Sequence, residues 1–313
     1  RKFVAAIKSL TTDKLFEDFI ATYNKIYSNE EKQIKLGIFT ESLKRVNERN
    51  TIGDTVFDIN HLSDLTLEEL NNYFGFIPST VDDSDCDIVT DKDVTTDNAP
   101  AAVNWSSKGA VTAIKNQGSC GACWAFACIA NIEGQYFIKN KQLQTFSEQE
   151  ILDCSKNNPS GCNGGDMITA LIDLKELGGV ELESNYPYDV KKGETCLFNS
   201  TEVVAKVVGC KKYVLENEKK LKEILDKKGP LIIGVNGAQL SVYKKGIMTK
   251  KECDYPLFMG HAVLLMGYDT ENGSDYWILK NSWGPEWGEK GYFRLSRGEN
   301  TCDMMQYIAS ADL

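Results

Sequence analysis

Apolar positions in the first fifty residues recur every three or four residues, which predicts two amphipathic helices. The first stripe consists of Leu15, Phe16, Phe19, Ile20, Tyr23 and Tyr27, and the second of Ile34, Ile38, Phe39, Leu43 and Val46. Ser28-Asn29-Glu30-Glu31 has the capping-box pattern, so the second helix should begin there. The N-terminal third of the chain is therefore predicted to be a separate, mainly helical unit.

Residues 79–98 differ in composition from the segments on either side. This stretch has little apolar content and is crowded with acidic side chains, namely Asp82, Asp83, Asp85, Asp87, Asp91, Asp93 and Asp97. Like charges that repel each other, with few apolar groups to bury, favour an extended chain. We expect a flexible acidic linker here and a second folded unit after it.

Beyond residue 98 the sequence has helical patterns first and strand-like patterns afterwards. The segment from Cys123 to about Asn140 is apolar on most faces, which predicts a central helix. A second helix is predicted over Glu218–Lys228, ended by Gly229-Pro230. Short apolar runs typical of strands follow at Leu231–Val235, Ala262–Tyr268, Tyr276–Leu279 and Gly291–Leu295. A helix-rich part up to about residue 210 and a sheet-rich part from about 211 to 313 are therefore predicted.

Candidate nucleophilic chemistry lies at the start of the predicted central helix. Cys123 stands there, where the helix dipole favours thiolate over thiol. Gln117 lies just upstream and carries an amide that can donate to an oxyanion. The general base must be one of two histidines, and His261 precedes an apolar strand and Asn281. His61 lies outside these motifs and is interpreted as a surface or packing residue.

Cys120 and Cys123 also form a Cys-x-x-Cys pair, which has two other interpretations. A zinc ribbon would need a second close pair of cysteines, and the sequence has none. A redox pair would need a thioredoxin-like unit around it, which nothing else in the sequence resembles. We therefore expect neither a metal ion nor a cofactor.

Cys120-Gly121-Ala122-Cys123-Trp124, followed far downstream by a histidine and an asparagine, resembles the papain and cathepsin family of cysteine proteases. Other matching motifs occur in the family's order along nearly the whole chain: Ser147-Glu148-Gln149-Glu150, Gly161-Cys162-Asn163-Gly164-Gly165, Tyr186-Pro187-Tyr188, Asn281-Ser282-Trp283-Gly284 and Trp287-Gly288. The resemblance implies an α+β, papain-like fold of two lobes. A helical lobe would span about 99–210 and an antiparallel, β-barrel-like lobe about 211–313, preceded by a helical propeptide domain at 1–98.

The resemblance also implies roles for single residues. Cys123 would attack the scissile carbonyl, His261 would take the thiol proton and return it to the leaving amine, and Asn281 would orient the imidazole. Gln117 and the backbone N–H of Cys123 would form the oxyanion hole, and Trp283 would shield the bond between histidine and asparagine.

Substrate contacts follow from the same resemblance. An extended peptide would pair with the backbone of Gly164 and Gly165, and Asp166 would stand at the mouth of the specificity pocket, where it would tolerate a basic neighbour. The pocket for the second residue before the cut would be lined by Met167, Gly234, Met259, Ala262 and Tyr307. We expect a preference for apolar side chains and endopeptidase activity, because carboxydipeptidase relatives use paired histidines that this chain lacks.

One residue departs from the family pattern. Many members carry Asp or Asn directly before the catalytic histidine, and this chain has Gly260. The dyad itself is intact, but a pH profile carried over from relatives is put in doubt.

The N-terminal unit resembles the propeptides of cathepsin L-like zymogens. Glu31, Phe39, Val46 and Asn50 match an interspersed propeptide motif, in which Lys35 replaces arginine and Ser42 replaces asparagine. Asn60-His61-Leu62-Ser63-Asp64 resembles a second motif, with Leu62 in place of phenylalanine. The propeptide would occupy the cleft as an inhibitor, and acid-promoted cleavage of the linker would release an enzyme that begins near Ala99. Gly178–Ser184 and His261–Tyr268 resemble segments of insect and baculovirus cathepsins.

Ten cysteines indicate an oxidising compartment. The family resemblance implies the disulfides Cys120–Cys162, Cys154–Cys196 and Cys253–Cys302 and a free Cys123. Cys128 is expected in the core, and Cys86 and Cys210 are left either free or paired. Asn104, Asn199 and Asn272 begin glycosylation sequons.

The net charge of −10 and the lack of a basic stripe argue against nucleic acid as a partner. No apolar run is long enough to span a bilayer. Because the chain begins at Arg1 without an apolar signal region, we expect a processed chain of the secretory route, either lysosomal or vacuolar, or secreted. Expected partners are protein and peptide substrates, the chain's own propeptide and cystatin-like inhibitors. The alternative is a catalytically silent relative that acts as a binding or inhibitory protein.

Overall fold

The computed structural model of the chain describes residues 11–80, 85–95, 99–191, 193, 195–254 and 258–313, so the predictions for Asp82, Asp83 and Asp97 lie outside the described residues. Within this part, helices α1 to α8 are Thr12–Thr22, Asn29–Arg49, Leu67–Asn71, Cys123–Asn140, Glu148–Cys154, Met167–Leu177, Glu218–Lys228 and Lys250–Cys253. Strands β1 to β13 are Val56–Phe57, Asp87–Thr90, Val103–Asn104, Val180–Glu181, Val203–Ala205, Gly209–Val214, Leu231–Asn236, Tyr243–Lys245, Ile247–Met248, Gly260–Glu271, Ser274–Lys280, Tyr292–Ser296 and Tyr307–Asp312.

Helices α1 and α2 form the N-terminal unit around a small aromatic core. The ring of Phe39 lies 5.2 Å from that of Phe16 and 4.9 Å from that of Phe19, centroid to centroid. The predicted capping box of Ser28 and Glu31 opens α2 and is confirmed. Ile34 was placed on the apolar stripe, but its side chain is 64% exposed and takes no part in this core. The residues of α2 that contact this core lie further along the helix, at Leu36, Phe39 and Leu43.

The larger unit consists of helices packed on a long sheet, which confirms the α+β, two-lobed prediction. In the described part of the chain, nine strands form one sheet in the order β2-β6-β13-β7-β10-β11-β12-β9, with β3 paired to β10. Helix α4 is buried from Cys123 to Gly134 and lies against β10. One apolar cluster surrounds α4, and another fills the sheet-rich side around the buried rings of Trp277, Trp283, Trp287 and Phe293.

The flexible linker predicted for residues 79–98 is wrong for residues 85–95. Strand β2 pairs in parallel with β6, Asp87 opposite Lys211 and Thr90 opposite Val214. Cys86 forms a disulfide with Cys210, which answers the question that the sequence left open. The run Ile88-Val89-Thr90 is β-branched and suits an edge strand, and the acidic residues around it masked that preference. Strand β6 also crosses residue 210, where the lobes were expected to divide.

Three further disulfides lie in the larger unit. They join Cys120 to Cys162, Cys154 to Cys196 and Cys253 to Cys302. Cys123 and Cys128 are free thiols, and both are buried. Because Cys120 is bonded to Cys162, it does not form a redox or metal pair with Cys123. Among the described residues no helix is both long and apolar enough to cross a membrane.

The N-terminal unit docks on the sheet-rich side through backbone pairing and a buried carboxylate. Strand β1 pairs antiparallel with β8. Glu252 accepts hydrogen bonds from the backbone N–H of Thr55 at 2.9 Å and from its hydroxyl at 3.0 Å. Phe57, Leu62 and Leu70 belong to the apolar cluster of the sheet-rich side. This docking directs the chain after α3 into the cleft between the lobes.

Candidate active site

Cys123 lies at the junction of the two lobes. It is the first residue of α4, and its side chain is completely buried. Its Sγ accepts hydrogen bonds from the backbone N–H of Ala262 in β10 at 3.4 Å and from that of Gly75 at 3.2 Å. Ala122, the residue before the helix, has no side chain that could cap it, so the helix N-terminus is open towards the cleft.

His261 faces Cys123's helix from the opposite lobe. It is the second residue of β10, and its Nε2 lies 2.7 Å from Oδ1 of Asn281, which directly follows β11. The ring of Trp283 lies over the imidazole, with centroids 4.6 Å apart. Nδ1 of His261 is buried and has no hydrogen-bond partner among the described residues. The histidine is thus fixed through one nitrogen while the other remains unsatisfied.

Gln117 is held by a residue that the sequence analysis did not single out. The hydroxyl of Ser282 donates to Oε1 of Gln117 at 2.7 Å, and the Gln117 backbone N–H donates to the Ser282 carbonyl at 2.8 Å. This fixes which end of the amide points into the site, so Nε2 donates to the carbonyl of Cys120 at 2.8 Å and to that of Tyr73 at 3.4 Å. The position of Ser282 within Asn-Ser-Trp-Gly was the available signal.

Residues 73–77 cover the site. Gly165 donates from its N–H to the carbonyl of Gly75 at 2.9 Å and accepts from the N–H of Ile77 at 3.0 Å, and Phe76 donates to the carbonyl of Gly260 at 3.1 Å. The chain's own N-terminal unit therefore uses Gly165, a backbone position expected to pair with substrate. An added Cβ on Gly75 would lie 1.8 Å from the carbonyl oxygen of Gly121, so only glycine allows this approach.

The predicted specificity pocket is filled by Phe76. Its ring lies 4.7 Å from that of Tyr307 and packs in one buried cluster with Met167 and Ala262. An added Cβ on Gly234 would lie 2.6 Å from the Phe76 ring, so this glycine provides space for an aromatic side chain. Met259 is buried just before β10, where its N–H donates to Asn236. The role of Phe76 was not predicted, because the sequence around it does not show which distant residues form the pocket.

Asp166 does not stand open at the pocket mouth as expected, since it is only 3% exposed. Its Oδ1 caps α6 by accepting from the N–H groups of Ile168 and Thr169. Its Oδ2 accepts from the Tyr307 hydroxyl at 2.6 Å and from the N–H of Ser79 at 3.1 Å. Burial and this carboxylate raise the pKa of Tyr307, so the phenol stays neutral. Both carboxylate oxygens of Asp166 therefore already accept hydrogen bonds, in contrast to the open carboxylate that we expected to tolerate a basic neighbour.

The covered site favours the uncharged forms of Cys123 and His261. Burial raises the pKa of Cys123 to about 11, against the opposing effect of the N–H donors of Ala262 and Gly75. Burial lowers the pKa of His261 to about 4, although Asn281 favours the charged ring. A thiol and a neutral imidazole are therefore the stable forms near neutral pH while residues 73–77 exclude water.

Gly260, the departure from the family pattern, has a steric explanation. An added Cβ at this position would lie 2.2 Å from the carbonyl oxygen of Phe76. The residue before His261 is thus in direct contact with the covering chain, and its lack of a side chain allows the backbone of Phe76 to approach.

Comparisons with family profiles and with individual relatives identify the same family. The profile of the papain family cysteine proteases matches residues 99–311, and that of the cathepsin propeptide inhibitor domain (I29) matches residues 16–70. The chain is 42% identical over 309 residues to a viral cathepsin of Cydia pomonella granulosis virus (isolate Mexico/1963), covering 96% of this chain and 91% of the relative. It is 39% identical over 305 residues to a viral cathepsin of Orgyia pseudotsugata multicapsid polyhedrosis virus, covering 96% and 92%.

Solved structures agree with these relatives. The digestive procathepsin L2 proteinase from Tenebrio molitor larval midgut superposes with a TM-score of 0.89 at 31% identity, covering 97% of this chain and 100% of that one. A recombinant stem bromelain precursor superposes with a TM-score of 0.83 at 32% identity, covering 96% and 99%. The sequence-based resemblance to baculovirus cathepsins and to cathepsin L-like proenzymes is confirmed.

We predict that Gly75→Ala opens the cover over Cys123, because the new Cβ meets the Gly121 carbonyl. The alkylation rate of Cys123 by iodoacetamide at neutral pH should rise at least about tenfold, which corresponds to about 1.4 kcal/mol of opening free energy. Gly37→Ala is the matched control, since an added Cβ there meets nothing within 4 Å. Equal alkylation rates in the two variants would contradict the packing described for Gly75.

Proposed function

We propose that this chain, which belongs to the papain family of cysteine proteases and carries a cathepsin-type propeptide, is the zymogen of an endopeptidase with Cys123 as its nucleophile. The observation that carries the proposal is that Cys123, at the start of α4, accepts a hydrogen bond from the N–H of Ala262, the neighbour of His261, and that Nε2 of His261 lies 2.7 Å from Oδ1 of Asn281. The division into a propeptide of residues 1–98 and a catalytic unit of 99–313 is part of the proposal. The family profile that starts at residue 99 supports it.

In the proposed mechanism, removal of residues 73–77 admits water and substrate to the site. Solvation lowers the cost of charge, so the proton of Cys123 moves to the unpartnered Nδ1 of His261 and a thiolate–imidazolium pair forms. Asn281 holds Nε2, and Trp283 keeps water from that hydrogen bond. The thiolate attacks the scissile carbonyl, and His261 then returns its proton to the leaving amine, which leaves an acyl-enzyme for hydrolysis by water.

The oxyanion formed in this attack needs donors that are already in place. Nε2 of Gln117 and the backbone N–H of Cys123 are the proposed donors. Nε2 now donates to the carbonyl of Tyr73 in the covering chain, which supports its access to a carbonyl oxygen in the cleft. Ser282 acts as a positioning residue, because its hydroxyl fixes the orientation of the Gln117 amide.

Proteins and peptides with an apolar residue two positions before the cut are the proposed substrates. Phe76 of the propeptide already fills the pocket bounded by Gly234 and Tyr307. Asp166 is committed to hydrogen bonds with the Tyr307 hydroxyl and the N-terminus of α6, so we do not propose it as a binding site for a basic side chain. Gly164 and Gly165 are proposed to pair with substrate once Gly75 and Ile77 leave.

Activation in acid is proposed to begin within the N-terminal unit. Lys35 pairs with Glu69 at 2.8 Å, and both residues belong to this unit. Burial alone would raise the pKa of Glu69, but hydrogen bonds from Lys35 and Thr66 lower it below its ordinary 4.5. A carboxyl with a depressed folded-state pKa stabilises the fold above its unfolded pKa and loses that effect as the pH falls through the folded value. Protonation of Glu69 therefore removes stability from the N-terminal unit only as the pH falls below about 4.5.

His61 makes the stability of the N-terminal unit sensitive to milder acid as well. His61 is half-buried, neither of its buried ring nitrogens has a partner among the described residues, and it lies near Tyr23, Lys25 and Asp64. Burial, with the nearby Lys25, lowers its pKa from 6.5 to about 4, although Asp64 opposes this. Between those two values the unfolded unit binds a proton that the folded unit excludes. The propeptide should lose about 1.4 kcal/mol of stability for each pH unit of acidification across this window.

The proposed cellular route is the secretory pathway, ending in a lysosome or vacuole or in secretion. Four disulfides in the described residues support an oxidising compartment. The sequon residues Asn199 and Asn272 are exposed, which would permit glycosylation, whereas Asn104 is half-buried. Cystatin-like inhibitors are proposed as partners of the uncovered cleft.

We predict that a peptidyl epoxide labels Cys123 in the activated enzyme and that Cys123→Ala lowers activity on a fluorogenic peptide by at least about 10⁴-fold. The alanine variant should fail to process itself and should still be cut by added active enzyme. Cys128→Ala is the control, because Cys128 is the other free thiol and should be dispensable for labelling. Labelling of Cys128 in place of Cys123 would refute the mechanism.

We predict that a positional peptide library gives Leu, Val or Phe as the preferred residue two positions before the cut. Burial of such a side chain should contribute roughly 1.5–3 kcal/mol to kcat/KM, or about 10- to 150-fold over a residue that leaves the pocket empty. Tyr307→Ala should enlarge the pocket and favour Phe over Val more strongly. A preference for Arg or Glu in the unaltered enzyme would show that the pocket is assigned wrongly.

We predict that His61→Phe moves acid activation to lower pH, by up to about one pH unit, because the titrating group is removed. The measurement uses the Cys123→Ala background, where cleavage by added active enzyme at each pH reports opening of the propeptide without self-processing. His61→Gln, which also does not titrate, should shift the midpoint in the same direction. An unchanged midpoint in both variants would exclude His61 as the sensor.

A further inference from the structure

The segment between the propeptide and the catalytic unit is built into the sheet of the catalytic unit. Strand β2 is the edge strand next to β6, with four residues in register. Cys86, directly before this strand, is almost completely buried and is bonded to Cys210 at the start of β6. A part of the chain that would be discarded by cleavage at Ala99 is thus covalently attached to the part that remains.

Side-chain contacts continue this attachment up to residue 95. Lys211 lies between Asp87 of the segment and Asp312 of β13. Lys220, on α7, donates from Nζ to the carbonyl of Val94 at 2.6 Å, and the N–H of Glu216 donates to Asp91 at 3.2 Å. These contacts join the segment to β6, β13 and α7. The covering residues 73–77 are held differently, by the cleft and by the docked helical unit upstream.

We propose that residues 85–95 remain with the enzyme after activation, as a permanent edge strand cross-linked through Cys86 and Cys210, and that the inhibitory propeptide is released by cleavage N-terminal to Cys86. The step is the hydrolysis of one peptide bond by water, catalysed by another molecule of this protease or a second endopeptidase, with the disulfide intact. This inference rests on the proposed endopeptidase function and moves the end of the released propeptide from residue 98 to a bond before Cys86.

Cleavage at Ala99 alone has a different consequence. The helical unit and residues 73–77 would stay attached through the disulfide, so the inhibitor would remain on the enzyme as an intramolecular ligand. Short tethers give effective concentrations in the millimolar range, which dilution of the sample does not reduce. A chain cut only at Ala99 should therefore remain inhibited until the disulfide is reduced or a second bond upstream is cut.

The first test is mass mapping of the activated wild-type protein. Free thiols are alkylated with iodoacetamide, and the protein is digested without reduction. We expect a peptide containing Cys86 linked to one containing Cys210, and the two should separate after reduction by dithiothreitol. An additional cut at Ala99 is compatible with this result if the linked pair persists. Mature enzyme that lacks residues 85–95 and carries an alkylated Cys210 would overturn the proposal.

The second test places a recognition sequence for an unrelated protease either before Asp85 or after Asn98. Both proteins are cut at neutral pH, diluted and assayed without reductant. The upstream cut should yield at least about tenfold more activity than the downstream cut. In Cys86→Ala/Cys210→Ala, the downstream cut should release the inhibitor on dilution and recover that activity. Equal activity of the two cut forms with the disulfide present would overturn the proposal.

The two tests separate the inference from the function on which it rests. If the double variant does not fold, the two cut forms with the intact disulfide still give the comparison. If no cut form has peptidase activity, the proposed function fails, whereas mass mapping of the upstream-cut protein still determines whether residues 85–95 stay on the catalytic unit.

Discussion

The inhibited state depends on the close approach of two backbones in the cleft. Gly75 lies against the Gly121 carbonyl, and its own N–H donates to Sγ of Cys123. The hydrogen bonds to Gly165 and Gly260 extend this contact along the cleft. Because Gly75 and Gly121 have no side chains, their backbones lie in direct contact, and this contact excludes water from Cys123. The neutral state of the covered thiol and imidazole follows from that exclusion, since burial is the largest effect on both pKa values.

The same segment fills the pocket beside Cys123 as well as covering the thiol. Phe76 occupies the proposed specificity pocket with the kind of apolar ring that we expect a substrate to present, so the same pocket would serve both inhibition and substrate binding. The N-terminal unit is also held outside the cleft, through the pairing of β1 with β8 and the hydrogen bonds between Thr55 and Glu252. We propose that the stability of the helical unit and the occupancy of the cleft are coupled, so that protonation of His61 in the helical unit would loosen the covering residues in the cleft.

The sequence was most informative where local pattern and structure coincide. The predicted bounds of α4 and α7 are those of the structure, because caps and apolar spacing are local properties. Strand β2 was missed because averaging over many aspartates concealed three β-branched residues, and the Cys86–Cys210 pair depends on the register of strands far apart in sequence. Phe76 and the burial of Asp166 could not be predicted, because each depends on a partner brought near only by the complete fold.

The position of β2 has a consequence for the solubility of the protein. Without it, β6 would become the outer strand of the sheet and expose a row of unpaired N–H and C=O groups to other chains. With it, the outermost strand is only four residues long and begins with Asp87, followed by Asp91 and Asp93 in the next turn. Short, negatively charged edges resist pairing with a second sheet. The acidic residues that we interpreted as a linker thus oppose edge-to-edge association with a second sheet.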